Sequence, residues 1–161
     1  MKKLLVLMVI LAALVAATFV FLKFNPPLVI STLVSNDERP SVIVSIGNKG
    51  WTDIQLLDVA VNDHETPTEA KVQMSNAPQG FTLLDDFQGQ LAEQYGVVDI
   101  DEAVIKTGTE PSLIFAKQDN GTATEADEIY GISINHDEDI HTVHIKYSYF
   151  GISLFEEVDM P

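Results

Sequence analysis

Nineteen consecutive uncharged, mostly apolar residues, 4–22, stand between Met1-Lys2-Lys3 and Lys23 at the start of the chain. Wound as a helix at about 1.5 Å per residue, this run covers about 28 Å, close to the hydrocarbon thickness of a bilayer. Phe24-Asn25-Pro26-Pro27 ends it, because proline has no backbone donor and forces its predecessor into extended geometry. Beyond residue 27 the apolar period falls to two. Residues 28–34 and 41–46 are rich in β-branched side chains and predict strands, separated by a polar turn at 35–40. Gly47-Asn48-Lys49-Gly50 predicts a tight hairpin into a strand at 51–61, apolar on both faces and therefore central, with Trp51 anchoring the core or a sheet edge.

Further strands are predicted at 70–74, 80–84, 112–117 and 128–135, with a polar loop at 118–127. Residues 142–149 alternate strictly: Val143, Ile145, Tyr147 and Tyr149 share one face, and Thr142, His144, Lys146 and Ser148 the other. Phe150-Gly151 leads into a last strand at 152–158. One stretch departs from this pattern. Asp85 or Asp86 is placed to cap a short helix carrying Phe87, Leu91 and Tyr95 at i, i+4 and i+8, with Gly96 at its end. Residues 99–105 predict a second helical turn closed by Thr107-Gly108. Many short strands without βαβ alternation predict a mainly β fold. The expected architecture is an antiparallel, immunoglobulin-like sandwich with a short helical insertion at about 85–110, preceded by one N-terminal transmembrane helix. Residues 1–24 form the anchor and 25–161 one extracytoplasmic domain.

Charge sharpens the picture. The net charge of −15 is unevenly spread, since Lys2, Lys3 and Lys23 flank the apolar run and all 24 carboxylates lie beyond residue 36. The domain keeps six Lys and Arg against those 24, a net −18. Such a field repels phosphate backbones, so nucleic acid is not an expected partner. Two lysines before the helix and one after it favour the N-terminus inside and the domain outside. The competing reading is a cleaved secretory signal that releases a soluble protein. Cleavage after Ala17 would leave Thr-Phe-Val-Phe-Leu at the new terminus, and the run exceeds a typical signal core, so retention in the cell membrane through residues 4–22 is expected. Without cysteine there is neither a disulfide framework nor a lipid-modified cysteine to share the work.

Candidate chemistry is sparse. His141 and His144, three apart on a strand, point to opposite faces and do not share an ion. His136 and His141 with Asp137, Glu138 and Asp139 are better placed, at a turn. Asp99, Asp101 and Glu102, Asp119-Asn120-Gly121, and Asp137 to Asp139 offer the hard oxygens that calcium prefers, without the ligand order of an EF-hand. Solvated turns are the preferred explanation of all of these groups. HExxH, GxSxG and phosphate-cradling glycine loops are missing, and an enzyme is not expected. Asn120-Gly121-Thr122 matches a glycosylation acceptor in form and reads as a turn.

The Lys-Lys anchor, the segment Pro-Ser-Val-Ile-Val-Ser-Ile-Gly-Asn-Lys-Gly-Trp at 40–51 and the closing Tyr-Ser-Tyr-Phe-Gly-Ile-Ser at 147–153 together resemble small membrane-anchored β-domain proteins of Gram-positive bacteria. The resemblance spans most of the chain, rests on no motif of known chemistry and transfers no site residues. The expected function is a membrane-tethered interaction module that binds an envelope protein or polymer through its loops or the 85–110 insertion. The alternative is a metal-dependent envelope hydrolase built from the 136–144 region and nearby carboxylates.

Overall fold

Helix α1 (Lys2–Phe24) is long and apolar enough to cross a membrane, with a mean hydropathy of 2.6 over Val6–Phe24. The computed structural model describes residues 2–36, 41–84 and 86–160. The described side chains of α1 are exposed as far as Phe21, and then Leu22 is buried in the core of the domain that follows. Helix α1 and the domain thus share a packed contact instead of being joined only through a linker.

That domain is a two-sheet antiparallel β-sandwich. Its strands are β1 (Leu28–Asn36), β2 (Ser41–Asn48), β3 (Ile54–Val61), β4 (Glu69–Asn76), β5 (Val97–Asp99), β6 (Val104–Ile105), β7 (Glu128–Asn135), β8 (Thr142–Tyr149) and β9 (Ile152–Asp159). Two short helices, α2 (Gln90–Gln94) and α3 (Pro111–Asp119), complete it with a 3-10 turn at Ile100–Glu102. One sheet runs β1-β2-β7-β4-β5 and the other β6-β3-β8-β9. The orders β1-β2-β7-β4 and β3-β8-β9 reproduce the ABED and CFG sheets of the immunoglobulin fold.

Inward side chains of both sheets meet in one core, including Val42, Val44, Val72, Ile132 and Ile134 from the first and Leu56, Val61, Val143, Ile145 and Tyr147 from the second. The alternation predicted for 142–149 is realised without a break, since Val143, Ile145, Tyr147 and Tyr149 are buried while their neighbours are half-exposed. Strand β3 is central, with β6 and β8 on either side.

Several expectations are corrected. Gly47 to Gly50 is not a hairpin, because β2 and β3 belong to different sheets and the chain crosses between them here. Glycine serves close approach: a Cβ on Gly50 would lie 2.6 Å from the Tyr149 hydroxyl and 2.9 Å from Pro27. The following strand begins at Ile54, and Trp51 is no core anchor but 82 % exposed. Residues 80–84 form no strand. Residues 112–117 lie in α3, where Pro111 occupies the first turn, a position in which its missing N–H costs nothing. Helix α2 holds Leu91 but neither Phe87 nor Tyr95, and it is Phe87, outside the helix, that is buried while Leu91 is exposed. Asp85 lies outside the described residues. The second helical turn at 99–105 is a 3-10 turn flanked by β5 and β6, so the 85–110 insertion supplies an edge to each sheet.

An inward-facing carboxylate on edge strand β9 provides a pH prediction. Glu156 pairs with the core residue Ile145, and burial pushes its carboxyl above its ordinary value, partly offset by Tyr147 and Lys49. Burial likewise pushes the Tyr147 phenol well up, with the charge of Glu156 adding to the effect. A carboxyl whose folded pKa is raised disfavours ionisation in the fold, so stability is lost as pH rises through that folded value. Glu156→Gln should therefore raise the melting temperature at neutral pH, and the gain should vanish below the ordinary value of 4.5. Melts of both proteins across that range check it; a constant difference would assign the effect to packing instead.

Candidate functional site

On its outer face the five-stranded sheet carries small residues: Ser45 and Gly47 on β2, Gly131 and Ser133 on β7, and Ser75 on β4. They leave room for a second layer, and two segments fill it. Phe81 lies over Gly131, where an added Cβ would sit 2.9 Å from its ring. The buried Gln73 side chain pins this segment like a substitute strand, accepting from Thr82 N–H at 3.2 Å and donating to the Thr82 carbonyl at 2.6 Å. Its amide also donates to Ser133 Oγ at 2.6 Å.

Helix α3 is the second segment. Pro111 packs on Gly47, and Thr109 just before it accepts from Asn48 N–H at 3.2 Å and donates to the Lys106 carbonyl at 2.8 Å. At the other end Gly121 adopts a left-handed φ of 67°, and the Thr122 N–H returns to the Lys117 carbonyl at 2.8 Å. The Asn120-Gly121-Thr122 sequence is thus a helix terminus. Lys117 pairs with Asp127, and that contact together with the Thr124 N–H holds the Asp127 carboxyl below its usual range. Gln118 donates to the Ala77 carbonyl at 2.8 Å, tying α3 to the covering segment.

Between these two walls lies an apolar cleft of about 140 Å³, lined by Ser45, Phe81, Thr109, Ile114, Phe115 and Gln118 among others. Phe115 is 43 % exposed at its edge. This volume is well below the roughly 300–1,000 Å³ of pockets that enclose whole ligands, and suits one apolar side chain or a group of that size. Its lining residues contribute hydroxyl and amide groups but no carboxylate, imidazole or amine to move a proton. The lining thus combines apolar surface with a few hydroxyl and amide groups.

The residues singled out in the sequence lie elsewhere. Asp99, on β5, pairs with Lys71, while Asp101 and Glu102 are exposed on the 3-10 turn. His136 lies 3.2 Å from the Glu65 carboxylate. Asp137, Glu138, Asp139 and His141 are exposed in the β7–β8 loop. Asn62 knits that loop, accepting from His141 N–H at 2.8 Å and donating to the Asp139 carbonyl at 3.0 Å. On the outer face of the other sheet, His144 stacks on His64 with centroids 4.1 Å apart and faces Glu157 at 3.2 Å. Among the described residues, no three His, Asp or Glu side chains gather in an arrangement that could hold a metal ion.

None of the cleft residues stands out by chemistry. The available signals were Pro111 at a helix start, Ile114 and Gln118 four apart, and the small residues alternating with apolar ones in Ser45-Ile46-Gly47 and Gly131-Ile132-Ser133. Comparison with protein-family models, curated proteins and solved structures finds no match.

Proposed function

We propose that this protein is a membrane-tethered binding module of the cell envelope, with α1 crossing the membrane, the sandwich outside the cytoplasm, and the cleft beside α3 taking an apolar side chain of a protein or polymer partner. The cleft carries the reading. A half-exposed phenylalanine at the edge of a preformed apolar recess, on a rigid sheet, is the arrangement from which binding hot spots are built. The acidic domain favours a partner with basic groups around that apolar anchor.

A photoreactive amino acid in place of Phe115, with Ser153 on the exposed far sheet as the control position, tests this in intact cells. One discrete adduct at 115, absent at 153 and lost when Ile114→Trp fills the cleft, is expected. Indistinguishable adducts at both positions would remove the cleft as a binding site. Carbonate-resistant membrane association with an intact N-terminal mass tests the anchor, and a species beginning near Thr18 in the medium would overturn it.

A further inference from the structure

Opposite the acidic β3–β4 and β7–β8 loops, the sandwich presents a different end to the emerging anchor. The corner between β2 and β3, the β8–β9 turn and the start of β1 lie together there. Trp51 N–H donates to the Tyr149 hydroxyl at 2.8 Å, and Phe21, Leu22, Asn25, Pro27, Lys49 and Trp51 line one crevice. In an immunoglobulin-type sandwich these are the B–C and F–G loops, which end beside the first strand.

Two large aromatic rings project from this end into solvent, Trp51 at 82 % exposure and Phe150 at 61 % with one edge on Tyr149, and Phe24 at the end of α1 is 76 % exposed. The Trp51 corner is held firmly. Asn48 Nδ2 donates to the Thr52 and Ile105 carbonyls at 2.9 and 3.0 Å, and Asp53 accepts from Thr107 N–H at 3.0 Å. Phe150 sits at a left-handed φ of 51° before Gly151 at 73°, in a turn where asparagine would be the undemanding choice. Its contact with Tyr149, centroids 4.6 Å apart, covers only part of the ring, and most of it faces water in a backbone region that favours a small polar residue.

We propose that Trp51 and Phe150 insert into the headgroup layer of the bilayer crossed by α1, so that the domain sits on the membrane in a fixed orientation. The proposal rests on the anchor reading above. Geometry supports it: Gly50 is packed on Pro27, three residues past Phe24, and three extended residues reach at most about 11 Å. The polar layer is roughly 5–7 Å deep on each side, the depth at which tryptophan concentrates. The Leu22 contact keeps the domain from swinging away; Lys49 lines the same crevice as Leu22, and Lys23 follows Leu22 in the chain, so both are near enough to meet lipid phosphates.

Trp51 is the chain's single tryptophan, so its fluorescence reports this contact alone. Full-length protein is reconstituted in phosphatidylcholine vesicles and floated on a density gradient. In the floated fraction, Trp51 emission should shift to the blue, escape aqueous iodide and be quenched by lipids brominated near the headgroup. Phe150→Asn should weaken that quenching while leaving the fold intact by circular dichroism. Protein that floats but leaves Trp51 open to iodide overturns the seating and spares the anchor. Protein that floats with Trp51 shielded from both quenchers also overturns it, pointing to a second copy or another protein as the cover. Protein that does not float removes both readings.

Discussion

Gly47→Ala is expected to destabilise the domain by about 3 kcal/mol, the upper part of the usual range for an overpacked interior. The cause is not backbone conformation, because Gly47 has no positive φ. An added methyl would fall inside the Thr109 carbonyl oxygen and lie 2.6 Å from Pro111 Cδ. Thr109 has little room to retreat, since its hydroxyl is bonded on both sides and the neighbouring Gly108 N–H donates to the Asn48 carbonyl at 2.9 Å. Relief requires lifting the first turn of α3 from the sheet, which opens the cleft. At roughly 2–4 °C per kcal/mol for a domain of this size, the melting temperature should fall by about 6–12 °C. Gly89→Ala is the control: its Cβ would meet only the Asp86 carboxylate, at 3.3 Å, and loss of the glycine N-cap of α2 should lower the melting temperature by no more than about 2–4 °C. Equal melting of the two variants would show that α3 is not docked as described. A loss of stability accompanied by loss of the Phe115 adduct would link the small residues of β2 to partner binding.

The parts of the fold set by local pattern were legible and those set by remote pairing were not. Period-two alternation placed β8 residue by residue, and an unbroken apolar run placed α1, because each signal is complete within its own segment. Gly47 to Gly50 misled because a flexible, polar tetrapeptide serves a hairpin and an inter-sheet crossing equally well. The choice is made by β7, which pairs with β2 from more than eighty residues away and leaves β3 to the other sheet. Residues 112–117, Ser-Leu-Ile-Phe-Ala-Lys, are short and apolar enough for either structure, and the proline before them was the deciding sign. The walls of the cleft left traces in the sequence, but the cleft itself was not legible. Its lining comes from positions as far apart as Ser45 and Ile129, and its depth depends on the small side chain at Ser45. The carboxylates drew attention because acidic clusters are visible in one dimension, whereas an apolar recess exists only in three.

Gln73→Leu is the second large effect expected, about 3–4 kcal/mol. Leucine nearly conserves volume, so the loss isolates hydrogen bonding rather than a cavity. Gln73 is fully buried on β4 and satisfies three groups at once: Thr82 N–H, the Thr82 carbonyl and Ser133 Oγ. Each buried partner left unpaired costs about 1–3 kcal/mol, toward the low end for Thr82 because it is half-exposed and partly recovers water. Ser133→Ala alone leaves the Gln73 amide its bond to the Thr82 carbonyl, and should cost about 1 kcal/mol. Combined with Gln73→Leu it should cost less than the sum, because the orphaned hydroxyl is gone; a coupling of about 1 kcal/mol is expected for residues in direct contact. Urea unfolding followed by far-ultraviolet circular dichroism provides all four corners of this cycle. Because Gln73 holds the segment that carries Phe81 over Gly131, Gln73→Leu should also expose Gly80 to Leu84 to proteolysis while the sheets stay folded. Additive losses, or a covering segment as protected as in the parent, would mean that Phe81 packing alone holds this wall of the cleft and that the glutamine is dispensable to it.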